Sequence, residues 1–245
     1  MPAYRPLVVA GQLRRQYLLP PDGRPLVDAP GGNLLYAVAG AHLWNQAEED
    51  TIGMLARVGE DYPQEWLRNF KKNGFDIQGI KILPESLDLR SFLVYTDLYT
   101  AQAANPVSHF ARLGLTFPKT LLGYQPPKPG QDSRSRQNPD SPRLLDIPET
   151  YRQPKAVHLC PLDFATHMQL SSAFRQFGAN IVVIDPNPGY MNGNFLIDLR
   201  SLLQGVTAFL PSEDDVRALF WGRALFYAAG GVVYNKNHDQ LPISK

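Results

Sequence analysis

Apolar residues along the chain keep two rhythms, short β-branched runs and helical stripes. The first run, Pro6 to Leu13 (PLVVAGQL), has glycine near its end and predicts a buried strand. Apolar residues then flank Pro21-Asp22-Gly23. There proline presets φ, the aspartate bonds its own backbone and glycine accepts positive φ, so a hairpin is expected across Tyr17 to Pro30. Gly31, Gly32 and Asn33 open a longer apolar run that predicts a helix from about Leu34 to Trp44. Thr51 to Gly59 reads as the next strand. After it Asp61 and Gln64 match a capping box, Trp66, Leu67 and Phe70 supply a buried face, and Asn73-Gly74 supplies a stop. Leu87 to Leu98 is strand-like, with imperfect alternation.

From Thr100 to Gln153 the pattern weakens. Pro126 to Arg143 (PPKPGQDSRSRQNPDSPR) has the composition of a solvated loop, although its arginines are chemically able to meet a phosphate. The preceding HFARLGLTFPKTLLGY is apolar enough to pack locally. Beyond Pro154 regularity returns. Lys155 to Cys160 is a strand, and Asp163 to Ala179 a helix with Leu170, Ala173, Phe174 and Phe177 on one stripe. Asn180 to Pro188 is a strand, Asp198 to Gly205 a short helix and Val206 to Pro211 a third strand. A helix from Ser212 to Arg223 follows, with Ser212 as cap and Asp215 at its third position. Strands alternating with helices predict βαβ units and a parallel sheet. Ligands of such sheets collect at the carboxyl ends of the strands, which makes Asp185, Asn187, Ser212, Glu213 and Asp215 one candidate rim.

Composition narrows the function classes. A chain of 245 residues with 44% hydrophobic positions can bury a sizeable core. Twenty-four Lys and Arg against 23 Asp and Glu leave a net charge of +1, without the positive field that nucleic-acid binding requires. Cys160 is the single cysteine, so no intramolecular disulfide can form and a reducing compartment is expected. The longest nearly apolar run falls far short of the roughly 20 residues that span a bilayer, and the amino-terminal apolar stretch is too short for a signal peptide. The expectation is a soluble cytoplasmic protein with neither nucleic acid nor membrane as partner.

The chemistry-bearing candidates are few. There is no Walker loop and no G-x-G-x-x-G. The five histidines are scattered, so no metal site built on protein groups alone is expected. His158 and His167 read as satisfied core or surface residues, and Cys160 as a buried thiol with no base in view. Two features remain. Gly31-Gly32-Asn33 is either a loop whose backbone approaches a ligand or a tight turn with Asn33 as helix cap. The acidic rim is either a ligand site or a set of helix caps complementing the dipole.

In combination and in this order, these features resemble the ribokinase-like, or PfkB, carbohydrate kinases. PLVVAGQLRRQYLL is similar to that family's first strand, and PGGNLLYAVAGAHLW to its glycine-pair motif at the sugar site. ARVGEDYPQEWLRNFKKNGFDIQGI resembles its V-G-x-D block with the helix and G-[VF]-D that follow. VTAFLPSEDDVRALF resembles its PNExE segment. The resemblance covers about Pro6 to Gly222 and is poorest over residues 100–153.

It implies an α/β fold, a ribokinase-like three-layer sandwich with a mostly parallel central sheet and a small β lid. The lid would comprise segments of about 14–31 and 87–100, and residues 100–153 would be a Pro-rich loop insertion. The implied reaction is transfer of the ATP γ-phosphoryl group, with Mg²⁺, to a hydroxyl of a sugar or nucleoside. Substrate contacts would fall on Arg14, Gln16, Gly31, Gly32, Asn33 and Tyr36. Arg14 and Gln16 stand where the family carries Asn and Asp, and Tyr36 where it carries Asn. Asp185, Asn187, Ser212, Glu213 and Asp215 would organise metal and phosphate. Ser212 and Asp215 replace the Asn and last Glu of PNExE, and Glu213 is retained.

The family's G-A-G-D motif, with its anion hole and catalytic base, has no counterpart. Gly230-Gly231 is not followed by Asp, and Asp239 stands without the glycines. The expectation is therefore one incomplete ribokinase-like domain over 1–245, truncated at its carboxy terminus, with no assigned base and negligible kinase activity alone. A dimer through the lid or an exposed sheet edge belongs to the same expectation. A non-catalytic sugar- or nucleoside-binding or regulatory protein, and a truncated gene product, are the alternatives.

Overall fold

Hydrophobic residues at every position of a strand can be buried only when both faces of the sheet are covered. β1 (Leu7–Ala10) is of that kind, and β4 (Ile52–Val58) is apolar except at Gly53 and Arg57. The computed structural model, which describes residues 4–44, 52–97, 100–127 and 130–220, shows how the two faces are filled. Val9, Met54, Ala56 and Val58 pack with Leu34, Val38, Leu67 and Phe70, which belong to α1 (Asn33–Trp44) and α2 (Gln64–Lys72). Their strand neighbours Val8, Ala10 and Leu55 turn to the other face. There they meet Leu170 and Phe174 of α4 (Phe164–Gln176) and Leu199 and Leu202 of α5 (Leu196–Leu202). The period-two alternation of strand side chains thus makes two cores and three layers.

The central sheet runs in the order β10-β9-β8-β1-β4-β5 and all its pairs are parallel. Its remaining strands are β5 (Phe75–Ile82), β8 (Ala156–Leu159), β9 (Ile181–Ile184) and β10 (Ala208–Phe209). β5 escaped the sequence reading, although FDIQGIKI carries β-branched residues throughout. The chain grows outward from β1 through β4 and β5, then returns to β8 and grows the opposite way. Helix α1 after β1 and helix α4 after β8 therefore lie on opposite faces, and their entry loops part between those two strands. This is a topological switch point, the place where open α/β sheets form a crevice.

A second sheet has the order β3-β2-β6-β7, formed by β2 (Arg14–Leu19), β3 (Leu26–Gly31), β6 (Arg90–Tyr95) and β7 (Ala101–Gln102). β2 and β3 make the antiparallel hairpin expected from Pro21-Asp22-Gly23, with Gly23 at φ 99°. Its Tyr17 and Leu19 are buried against Phe92, Val94, Phe110 and Leu121. Phe110 belongs to α3 (Pro106–Arg112), so the apolar part of the 100–153 region covers one face of this sheet.

Three local expectations need correction. Asp61 does not cap α2, whose first residue is Gln64 after Pro63; the Asp61 carboxylate instead accepts the Leu87 N–H at 3.1 Å. Proline already presets the helical entry, leaving the carboxylate to tie the β6 approach to the β4–α2 loop. Asn33 does not cap its own helix either, as described below. The segment before Arg143 is more than a solvated loop. Ser141 is fully buried, and Tyr151 beyond it inserts between sheet and solvent, its hydroxyl donating to Asp76 O at 2.8 Å. The last helix, α6 (Glu213–Leu219), has the expected Ser212–Asp215 capping box. Its expected continuation to Arg223, and Gly230, Gly231 and Asp239, lie outside the described residues.

Candidate functional site

The loops after β1 and β8 are stitched together by one side chain. Asn33 Oδ1 accepts the Gln12 N–H at 2.7 Å, and Asn33 Nδ2 donates to the Pro161 carbonyl at 2.9 Å. A single amide thus fixes the width of the crevice at the switch point. Gly32 sits at φ 103°, where a Cβ would run into the Gln12 carbonyl and lie 2.9 Å from Arg14 N. Only glycine allows the backbone to turn there against the β1–β2 loop. At Gly31 a Cβ would strike the Gln16 amide, 3.0 Å from its Cβ. The glycine pair therefore brings β3 close to the foot of β2, and the Gln16 side chain fills the space over Gly31.

Arg14 and Gln16 share one face of β2, and Arg14 lies opposite Gly31 in the β2–β3 ladder. Gln16 is 8% exposed, and its Oε1 accepts a hydrogen bond from the hydroxyl of Tyr36, a residue 54% exposed on α1. Arg14 donates to Gln12 Oε1 at 2.7 Å and pairs with Asp140 at 2.9 Å. Gln12 Nε2 donates to the same Asp140 oxygen at 3.0 Å. The six acceptor-site residues expected from sequence, Arg14, Gln16, Gly31, Gly32, Asn33 and Tyr36, therefore meet in one place, at the hairpin foot beside the crevice.

The segment 130–143 straddles the carboxyl ends of β1, β8 and β9. Asp132 N donates to the Gly189 carbonyl, and its carboxylate accepts the Phe164 N–H at 2.9 Å. Asn138 N donates to Asp163, and Gln137 Nε2 to the Thr166 hydroxyl. Asp163 is also the cap of α4, accepting the Thr166 N–H at 2.9 Å. Burial, with Asp163 nearby, pushes the Asp132 carboxyl above its ordinary range although the Phe164 N–H opposes it. Of these groups the sequence reading singled out none. The signal available was the turn chemistry of Asn138-Pro139-Asp140-Ser141-Pro142, which predicts a fixed loop without saying where it docks.

The acidic rim divides in two. Ser212 and Asp215 serve each other: the serine hydroxyl donates to Asp215 Oδ2 at 2.5 Å and accepts the Asp215 N–H at 3.2 Å. Glu213 pairs with Arg217 at 2.6 Å on the exposed side of α6. Asn187 Oδ1 accepts the Gly189 N–H and shapes the turn after β9. Asp185, by contrast, is half-buried, and burial together with the nearby Asp215 carboxylate pushes its carboxyl up to about 6. Among the described residues no three His, Cys, Asp or Glu side chains stand together as a metal site. Such a cluster would serve a metal held by protein groups alone, whereas magnesium that accompanies a nucleotide is held mostly by phosphates and water with one or two carboxylates, a part that Asp185 is placed to supply.

The remaining candidates are structural. Burial pushes the Cys160 thiol up to about 12, away from any nucleophilic role. His167 is fully buried between the Tyr190 hydroxyl, at 2.7 Å, and the Cys160 carbonyl, at 2.8 Å. Burial holds its imidazole down to about 4, and hence neutral. No helix among the described residues is long and apolar enough to cross a membrane.

No family model matches the chain. A curated relative, the cytidine kinase of Thermococcus kodakarensis, is 26% identical over 211 residues, or 85% of this chain and 62% of the relative. The chain thus spans less than two thirds of the length of that relative. Among solved structures it is similar to fructokinase with bound ATP from Xylella fastidiosa, with TM-score 0.57 and 16% identity over 93% of this chain and 68% of that one. It is also similar to the Burkholderia thailandensis nucleoside kinase in complex with inosine, with TM-score 0.55 and 16% identity over 92% of this chain and 67% of that one. The fold is therefore ribokinase-like, an α/β sandwich around a mostly parallel sheet, and its neighbours are carbohydrate and nucleoside kinases.

Proposed function

We propose that this chain carries the acceptor-binding part of a PfkB-type kinase, which phosphorylates a hydroxyl of a sugar or nucleoside with ATP and Mg²⁺. The observation that carries the reading is the position of the glycine-pair loop. It lies at the switch point between β1 and β8, at the foot of the second β-sheet, in the fold of kinases described as binding inosine and ATP. In this reading the β3-β2-β6-β7 sheet is a lid that keeps water from the transferring phosphoryl group. Arg14, Gln16, Gly31, Gly32, Asn33 and Tyr36 build the acceptor seat, and Asp185 faces the phosphate side. The protein works in the cytoplasm, and a dimer through the lid or an open sheet edge belongs to the same proposal.

Residues 1–245 contain no Gly-Ala-Gly-Asp segment, and no base is assigned among them. Purified 1–245 is therefore expected to bind acceptor without turnover. Calorimetry against pentoses, hexoses and ribonucleosides, beside a coupled assay for ADP release, tests both halves. Steady ADP release refutes the inactivity, and flat titrations across the panel refute the acceptor site. A second reading, a non-catalytic binding or regulatory protein, is favoured by the Gln16 side chain over Gly31 and the Tyr36 hydroxyl upon it. It shares the binding and differs in finding no turnover in any longer form of the chain.

A further inference from the structure

We infer that Asp140, delivered by the Pro-rich segment, is the carboxylate that receives hydroxyl groups of the acceptor; this rests on the acceptor-site reading above. The argument begins with position. Arg14 faces Gly31 across the ladder, and Gln12 lies against Gly32 and is held by Asn33. The side chains of Arg14 and Gln12 both converge on Asp140 Oδ2, at 2.9 and 3.0 Å, and on each other at 2.7 Å. Asp140 is thereby carried across 128 positions of sequence to the glycine pair.

Both contacts fall on Oδ2, and Oδ1 takes no bond from the described residues. The side chain is 18% exposed, so that oxygen is within reach of a small ligand. A carboxylate offers about four acceptor positions, and here one hydrogen bond and one ion-pair contact both fall on Oδ2. Fastening the segment does not require this residue, because Asp132, Gln137 and Asn138 already anchor it to α4 and its cap. Its ion-pair partner Arg14 also lines a cavity of about 270 Å³, whose wall includes Asp88, Arg90 and Ser91.

The chemistry selects the ligand class. Asp140 neutralises Arg14, so the pair offers no net charge to a phosphate or carboxylate. It presents a charged acceptor beside a guanidinium donor, an arrangement suited to neighbouring hydroxyls of a neutral polyol, one donating to Oδ1 and the next accepting from Arg14.

The test measures binding of adenosine, cytidine, uridine and inosine, each with its 2′-deoxy and 3′-deoxy counterpart, to the 1–245 chain and to its Asp140→Asn variant. The expected result is that the parent chain prefers at least one ribonucleoside over a deoxy counterpart by roughly ten- to hundredfold, as for a hydrogen bond to a charged group. Asp140→Asn should bind both forms alike, at the deoxy level. Equal losses for the two forms would mean a structural role and overturn the inference, as would full discrimination in the variant. Should Asp140→Asn fail to fold, Asp140→Glu keeps the charge but moves the oxygens, and undiminished discrimination there overturns it too. If the parent chain binds ribo and deoxy forms equally, Asp140 is refuted while the acceptor site stands. If it binds a pentose or hexose but no nucleoside, the same comparison is made with that sugar and its deoxy counterparts, and if it binds nothing from either set, both fall.

Discussion

Asp185 works against the fold that carries it, and replacing it tests the electrostatics of the rim. Its carboxyl moves from an ordinary 3.8 to about 6 because burial, and then Asp215, penalise the charged form. The displacement of about 2.2 pH units corresponds to about 3 kcal/mol at about 1.36 kcal/mol per unit. Asp185 is only half-buried, so screening by solvent reduces this to about 1.5 kcal/mol. The sign follows from proton counting. Between pH 3.8 and about 6 the folded state holds more protons than the unfolded state, so stability falls as pH rises through that window and stays low above it.

Asp185→Asn removes the penalty. At pH 7 the variant should melt about 3–6 °C above the parent, at about 2–4 °C per kcal/mol for a chain of this size. At pH 4.5 the advantage should be distinctly smaller, since the unfolded carboxyl is then largely ionised and the folded one is not. The assay is thermal unfolding of both proteins from pH 4.5 to 8, read as the difference between them. The absolute melting temperature is unsuitable, because His167 has the opposite slope. Its imidazole is held down to about 4, so it costs stability progressively as pH falls below 6.5. An advantage that is flat with pH, or a variant less stable than the parent at pH 7, refutes the reasoning. A carboxylate that weakens the fold at neutral pH is of the kind found where a ligand offsets the cost.

Two further outcomes follow from packing. Gly31→Ala should destabilise the chain by about 1–3 kcal/mol through the clash with the Gln16 side chain, and Gln16→Ala in the same chain, which removes the amide but keeps the Cβ, should restore part of it. Gly32→Ala meets backbone at positive φ and should find no such rescue; urea unfolding of the four variants checks this, and rescue of Gly32→Ala would contradict it. Tyr151→Ala should cost about 3–5 kcal/mol by opening a cavity beneath β4 and β5, and Tyr151→Phe about 1 kcal/mol through the lost bond to Asp76 O. The urea midpoints of the two variants decide it, and a mild Tyr151→Ala would mean that this part of the 100–153 region is not a fixed part of the core.

How much was legible in the sequence can be judged from particular residues. Val8-Val9-Ala10, the Pro21-Asp22-Gly23 hairpin, Leu170 to Phe177 and the Ser212–Asp215 box were all readable, because each rests on contacts or dihedral preferences within a few residues. The misreadings arose where a local pattern met a distant partner. Asp61 has the spacing of a cap, but Pro63 starts the helix and Leu87 claims the carboxylate. Asn33 has the position of a cap, but Gln12 and Pro161 claim its amide.

The sequence by itself determined the alternation of strands and helices, the glycine pair ahead of α1 and the carboxylates that follow β9 and β10. Those depend on backbone freedom and apolar period, which are properties of short stretches. Only the tertiary structure decided that Asp140 reaches Arg14, that Gln16 fills the space over Gly31, and that Asp185 is half-buried beside Asp215. Two of those pairings depend on β-sheet topology and on a loop without periodicity docking upon it, and a polar side chain carries no mark of its partner until the fold has brought the two together.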